Sequence, residues 1–148
     1  TESLGGSPYF RDAMALWEAA VAEEHATISQ LNVRLTSAIC EYLGIGTPHV
    51  MSRGLGVPGA STAKLVGVLR ALGATDYLSG PTAKDYLDLD QFRREGIRLK
   101  YKTYDYGPYP QAHGAFEGAV TVLDLIANCG RDAAAQIRSR IPDEVAVD

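Results

Sequence analysis

Apolar positions along the chain recur on two different periods. In "ATISQLNVRLTSAICEYLGI" the residues Ile28, Leu31, Leu35, Ala38, Ile39 and Tyr42 fall three or four apart. That spacing predicts a helix over 26–43, with Gly44 as its stop. The preceding "SPYFRDAMALWEAAVAEEH" predicts a helix over 8–24, with Ser7 as N-cap and Pro8 at the first helical position, where its missing N–H costs nothing. "STAKLVGVLRALGA" places Leu65, Val66, Val68, Leu69 and Leu72 on one stripe, starts at Ser61 or Thr62 and stops at Gly73.

The second period is two. In "IRLKYKTY" the residues Ile97, Leu99, Tyr101 and Thr103 share one face and Arg98, Lys100 and Lys102 the other, as in a half-buried strand. "TDYLSG" predicts a strand of three or four residues, and "TPHVMS" another near 48–52. Between them and beyond lie "TAKDYLDLDQFRREG", one or two short helical pieces ending at Gly96, and "AVTVLDLIANCGRDAAAQIRSRI", a helical region broken at Asn128 to Gly130. Strand, helix, strand, helix, strand in that order predicts an α/β fold with a small parallel sheet of about three strands flanked by helices, and helix-rich N- and C-terminal regions. Ligands bind such sheets at the carboxyl ends of the strands. The expected ligand edge is therefore built from the loops 53–62, 79–82 and 104–114.

With 148 residues, 46% of them hydrophobic and 22% charged, the chain is expected to form a single domain over 1–148 with a real core. No apolar run approaches the length of a membrane span, and the start, "TESLGGSPYF", lacks the layout of a signal peptide, so a cytoplasmic location is expected. A net charge of −4 argues against a nucleic-acid surface, which needs clustered Lys and Arg. Cys40 and Cys129 have no CxxC partner and read as reduced thiols.

Candidate chemistry sits in the loops. Ser79, Gly80 and Thr82 stand where a strand hands over to a helix, so that backbone N–H groups, a side-chain-free approach and two hydroxyls could hold an anionic ligand; simple capping by Ser79 and Thr82 is the competing reading. "GLGVPGAS" spaces Gly54, Gly59 and Ser61 like a phosphate loop, but Ala60 replaces the required Lys, which argues against a nucleotide site of that type. Lys64, one turn later, could still neutralise an anion or simply be solvated. The basic face of Arg98, Lys100 and Lys102 fits either an electropositive strip or an edge strand protected against aggregation. "YDYGPYPQAHG" gathers Tyr104, Tyr106, Tyr109, Gln111 and His113, flat amphipathic rings suited to sugars or bases and an imidazole suited to proton transfer. Asp124, beside a helix end, joins His113 as a candidate catalytic group, a hydrogen bond to a neighbouring loop being its competing reading, and Cys129 is a weaker candidate nucleophile. His25, His49, His113 and the two Cys lack ligand-like spacing, so no metal site is expected, and no pattern names a cofactor.

Taken together, "SPYF" (7–10), "LNVRLTSAICEYLGIGTP" (31–48), "LGATDYLSGPTAKDYLD" (72–88), "GIRLKYKTYDYGPYPQAHGAF" (96–116) and "VTVLDLIANCG" (120–130) resemble the WbqC-like family over about residues 7–136. The resemblance implies group transfer, with glycine or another aminoacyl group passed to a sugar, in the biosynthesis of O-antigen and other surface polysaccharides. It supplies no established catalytic residue. It covers the C-terminal part of the family pattern, and the His-Gln-Pro motif of the family's N-terminal half has no match in this chain. The expected ligand is a small molecule, an activated donor or an amino sugar acceptor. A non-catalytic domain, docking helices 8–24 and 26–43 onto a partner chain, a missing half or a second copy, is the alternative. An adenylating α/β enzyme is a third reading.

Overall fold

The computed structural model describes residues 4–148. Its helices are α1 (Phe10–Val21), α2 (Ile28–Tyr42), α3 (Ser61–Ala71), α4 (Leu89–Glu95), α5 (Val122–Cys129) and α6 (Ala133–Gln136), and its strands are β1 (Asp76–Ser79), β2 (Arg98–Tyr101) and β3 (Glu144–Val147). Short 3₁₀ turns lie at Ser52–Leu55, Pro81–Asp85 and Gly130–Asp132. The α/β class is as expected. The chain divides into two compact units, one of Thr1–Thr47 with Tyr106–Arg140 and the other of Pro48–Asp105 with Ile141–Asp148.

The first unit is helical. Its core is Ala13, Leu43, Leu125, Ile126, Ala127 and Ala133, with Leu16, Ile39, Tyr42 and Tyr109 packed against it. The start of α2 is fixed by a reciprocal cap, in which Thr27 Oγ1 accepts from Gln30 N–H at 3.2 Å and Gln30 Oε1 accepts from Thr27 N–H at 3.1 Å. The start of α1 differs from expectation. It begins at Phe10, not Pro8, and Tyr9 occupies the N-cap without a side-chain hydrogen bond. Ser7 is buried, and its hydroxyl donates to Asn128 Oδ1 at 3.0 Å, so it is committed to α5 and cannot cap α1.

The second unit holds the sheet, in the order β1-β2-β3. β1 and β2 are parallel, with Tyr77 opposite Leu99 and Ser79 opposite Tyr101, whereas β2 and β3 are antiparallel, with a register shift at Leu99/Lys100. The sheet is thus mixed, not wholly parallel. The strand expected near 48–52 does not form: the chain is irregular there and enters a 3₁₀ turn at Ser52. Pro48 has no N–H to give a ladder, and Gly54 adds no side chain to pack. Its place in the count is taken by "EVAV" at 144–147.

Alternation in β2 is realised, with Ile97, Leu99 and Tyr101 buried beside Val66, Leu69, Ala83, Phe92 and Val147. Phe92 and Leu99 are fully enclosed, each contributing about 2–3 kcal/mol of apolar transfer energy. β2 is the central strand, so the edge-protection reading of its basic face is corrected. The electropositive-strip reading is corrected too. Arg98 pairs with Asp76 at 3.0 Å and Asp148 at 2.8 Å, Lys100 lies 3.9 Å from Asp76, and Lys102 pairs with Asp143 at 2.9 Å. Those cations are spent on the protein's own carboxylates.

Candidate functional site

Residues 106–119, which precede α5, form an irregular loop in which side chains bond several of the polar groups. Tyr109 Oη donates to Asp124 Oδ1 at 2.6 Å. Gln111 Nε2 donates toward Tyr109 Oη at 3.2 Å, Asp124 Oδ1 at 3.1 Å and the Glu117 carbonyl at 2.9 Å, while Gln111 Oε1 accepts from Glu117 N–H at 2.8 Å. Phe116 packs edge to face on Tyr109 with ring centroids 5.1 Å apart. Sequence reading proposed Tyr109 and Gln111 as ligand contacts and Asp124 as catalytic; the fold brings these three into one cluster. Both amide functions of Gln111 are engaged within the loop, which makes it the brace of the cluster.

Asp124 sits in the first turn of α5, whose start is capped by Thr121 Oγ1 accepting from Leu123 N–H at 3.3 Å. Its two carboxylate oxygens differ. Oδ1 is held by Tyr109, Gln111 and, at 3.4 Å, by Asn128 Nδ2. Oδ2 takes no hydrogen bond from any described residue, and no buried side-chain polar atom lacks a partner, so Oδ2 is open to solvent. No described Lys, Arg or His forms an ion pair with this carboxylate. Burial, and then the hydrogen bond to Asp124, push the Tyr109 hydroxyl well above the usual tyrosine range, so it stays a protonated donor. Burial and the charges of Asp132 and Asp124 push the Cys129 thiol upward as well. A nucleophilic cysteine needs the reverse shift, which leaves Cys129 in a structural role.

His113 is exposed and hydrogen-bonds to no described residue; it lies on the same loop but outside the cluster. The remaining candidates belong to the other unit. Ser61, exposed, stands at the start of α3 with φ +50°, while Ala60 occupies the N-cap and makes no side-chain bond. Thr62 does not cap the helix either, since its hydroxyl is buried and accepts from Asp88 N–H at 3.2 Å. Lys64 is exposed and has no ion-pair partner among the described residues.

Ser79 ends β1, and its carbonyl accepts from Lys102 N–H at 2.8 Å. The helix expected directly after it is a five-residue 3₁₀ turn with Gly80 at the N-cap and no side-chain cap bond. The capping reading of Ser79 and Thr82 is therefore corrected: neither hydroxyl caps the turn. The dipole expected from an α-helix is also much reduced in one turn of 3₁₀. At this end of the sheet Lys84 pairs with Glu144 and lies 5.4 Å from the Tyr101 ring centroid.

Residues outside the sequence reading complete the cluster. Asn128 Nδ2 donates to the Asp124 carbonyl at 2.9 Å, and Asn128 Oδ1 accepts from Ser7. Tyr9 N–H donates to the Ala127 carbonyl at 2.8 Å. Gly130 has φ +58°, and a Cβ there would lie 2.8 Å from Tyr9 Cδ1. "SPYF" and "NCG" are thus halves of one contact that seats α5 and, through it, Asp124. Only their joint presence in the resemblance hinted at this, because a Ser seven residues from the start reads locally as a cap.

Residues 1–136 match the WbqC-like protein family, which takes in every residue of the cluster. The chain belongs to that family. This WbqC-like chain is 40% identical over 117 residues to an uncharacterized protein, Rv1507c, of Mycobacterium tuberculosis (strain ATCC 25618 / H37Rv). The match covers 78% of the WbqC-like chain and 51% of the relative, so the chain spans about half the length of the curated relative it matches. No solved structure matches it.

Proposed function

We propose that this WbqC-like chain serves group transfer in surface polysaccharide biosynthesis, passing glycine or another aminoacyl group from an activated donor to a sugar. The observation that carries the reading is the asymmetry of Asp124, with Oδ1 fixed by neutral donors and Oδ2 open. A carboxylate so oriented can take the proton of an acceptor amine or hydroxyl as that atom bonds to the donor's carbonyl carbon and the activating group departs. Tyr109 keeps the carboxylate in place and offers a ring face to the sugar. His113, on the same loop, is the second proton carrier in this reading. Ser61, Lys64, Ser79, Gly80 and Thr82 belong to the other unit and are proposed separately as contacts for an anionic ligand there, with Lys64 lacking an ion-pair partner among the described residues. The reading puts the reaction in the cytoplasm, where activated donors are available. Among the described residues, no helix is long and apolar enough to cross a membrane.

The test is a transfer assay with glycyl adenylate analogues and nucleotide sugars, read by mass spectrometry. Wild-type chain should add the aminoacyl mass to one sugar class, and Asp124→Asn should lose at least a hundredfold in rate with its fold retained. Equal rates in the two would remove the proposed role of Asp124.

A docking role is favoured by a different observation. Ile28 is 73% exposed, and Trp17 and Val21 of α1 are each about two-fifths exposed. Those side chains would meet a partner or a second copy. Sedimentation equilibrium decides this reading: association that Ile28→Ser abolishes supports it, and a monomer at all concentrations opposes it.

A further inference from the structure

Among the described residues, Asp124 has no ion-pair partner. Its Oδ1 is approached by a phenol and two carboxamides, none of them cationic, and no described basic side chain pairs with the carboxylate. Arg131, in the turn that follows α5, is committed elsewhere: its guanidinium lies 4.8 Å from the Tyr42 ring centroid and donates to the Tyr42 carbonyl at 2.8 Å. Half-buried carboxylates ordinarily recover the loss of water by pairing with a cation. No described Lys, Arg or His forms such a pair with Asp124.

We propose that Asp124 Oδ2, the open oxygen of a carboxylate whose Oδ1 is fixed by Tyr109 and Gln111, is a recognition site for a primary ammonium group. The proposal rests on the group-transfer reading and narrows it, since it makes the ligand at this site a cationic amine and not a neutral hydroxyl or acetamido sugar.

Three features fit an ammonium in particular. The free oxygen accepts but cannot donate, which suits a group with three N–H donors and no acceptor. Tyr109, whose hydroxyl holds Oδ1, packs edge to face with Phe116, and aromatic faces attract cations. The upward push on the Tyr109 hydroxyl and the Cys129 thiol comes first from burial and has the Asp124 charge among its further causes. A bound ammonium must first give up one proton, for which Oδ2 is the adjacent acceptor, before the free amine can attack, so the residue that recognises the amine is also the one placed to activate it.

The amine could be that of an amino sugar or of an amino acid, and the experiment separates them. The purified chain, labelled with ¹⁵N, is titrated with glucosamine, N-acetylglucosamine, glucose and glycinamide while the Gln111 and Asn128 side-chain amides and the Asp124 backbone amide are followed. Glucosamine should shift these signals saturably, and N-acetylglucosamine and glucose should bind at least tenfold more weakly. Asp124→Asn should abolish the preference. A response to glycinamide but not glucosamine would assign the amine to the amino acid and still support the site. Equal responses to glucosamine and N-acetylglucosamine would overturn the ammonium proposal while leaving group transfer standing. No saturable response to either amine would overturn it as well. Should Asp124→Asn fail to fold, the amine-against-acetamide comparison on the wild-type chain decides alone.

Discussion

Tyr109 and Asp124 are joined by a 2.6 Å hydrogen bond across fifteen positions of sequence, from an irregular loop to the first turn of α5. It ties the loop to the helix and leaves the second carboxylate oxygen open. A hydrogen bond to a charged acceptor contributes more than a neutral one. Tyr109→Phe should therefore destabilise the chain by about 1–2 kcal/mol, measured as a shift of the urea midpoint at constant slope. A change within error would mean that the loop is held by the Gln111 bonds alone.

Gly130→Ala should cost more. The new Cβ meets the Tyr9 ring at 2.8 Å, and the backbone at φ +58° disfavours any side chain. The expected loss is about 2–4 kcal/mol, combining strain with the displaced ring. Tyr9→Ala in the same chain should recover the steric part and not the backbone part, so the double variant should be more stable than the sum of the single losses. Strict additivity would show that the ring and the glycine do not interact.

Gly80→Ala is the opposite case. Gly80 has φ −70°, and a Cβ there meets nothing within 4 Å. Stability should stay level or rise by about 0.4–1 kcal/mol through the less flexible unfolded chain. The substitution is then a clean probe of ligand approach, because any loss of donor binding in a fully stable variant reports a contact and not a folding defect.

Alkaline unfolding follows from the tyrosines. The Tyr42 hydroxyl is pushed up to about 12 in the folded chain, first by burial and then by its 2.6 Å hydrogen bond to Asp12, from an ordinary 10.0. The unfolded chain therefore ionises first, and the contribution of Tyr42 is complete below pH 10 and lost as pH rises toward 12. Urea midpoints should fall through that window and fall less in Tyr42→Phe. The acid limb has the opposite sign. Asp143 is held below 3.8 by Thr103 N–H and Lys102, so its contribution is present above that value and disappears as pH drops through the lower folded one.

Helices with long apolar stripes were legible in the sequence because their periodicity is local; α2 and the alternation of β2 are realised nearly as read. The strand at 48–52 was misread because a short β-prone run carries no information about its partner, and "EVAV" went unread for the same reason. The basic face of β2 was read without its counter-charges, which arrive from Asp76, Asp143 and Asp148. In the candidate site, Tyr109, Gln111 and Asp124 were visible as residue types in an unusual loop. Ser7 and Asn128 were not, because a hydrogen bond spanning 121 positions leaves no mark on either neighbourhood.

The most direct test of the central claim, that Asp124 anchors a ligand site, is the thermal midpoint of wild-type chain and Asp124→Asn with nucleotide sugars, amino sugars, ATP, glycine and aminoacyl adenylate analogues. The account predicts a saturable rise for one class in the wild-type chain, by mass action on the folded state, and none in Asp124→Asn. A rise of equal size in both, or a sharp transition that no compound moves in either, would contradict it.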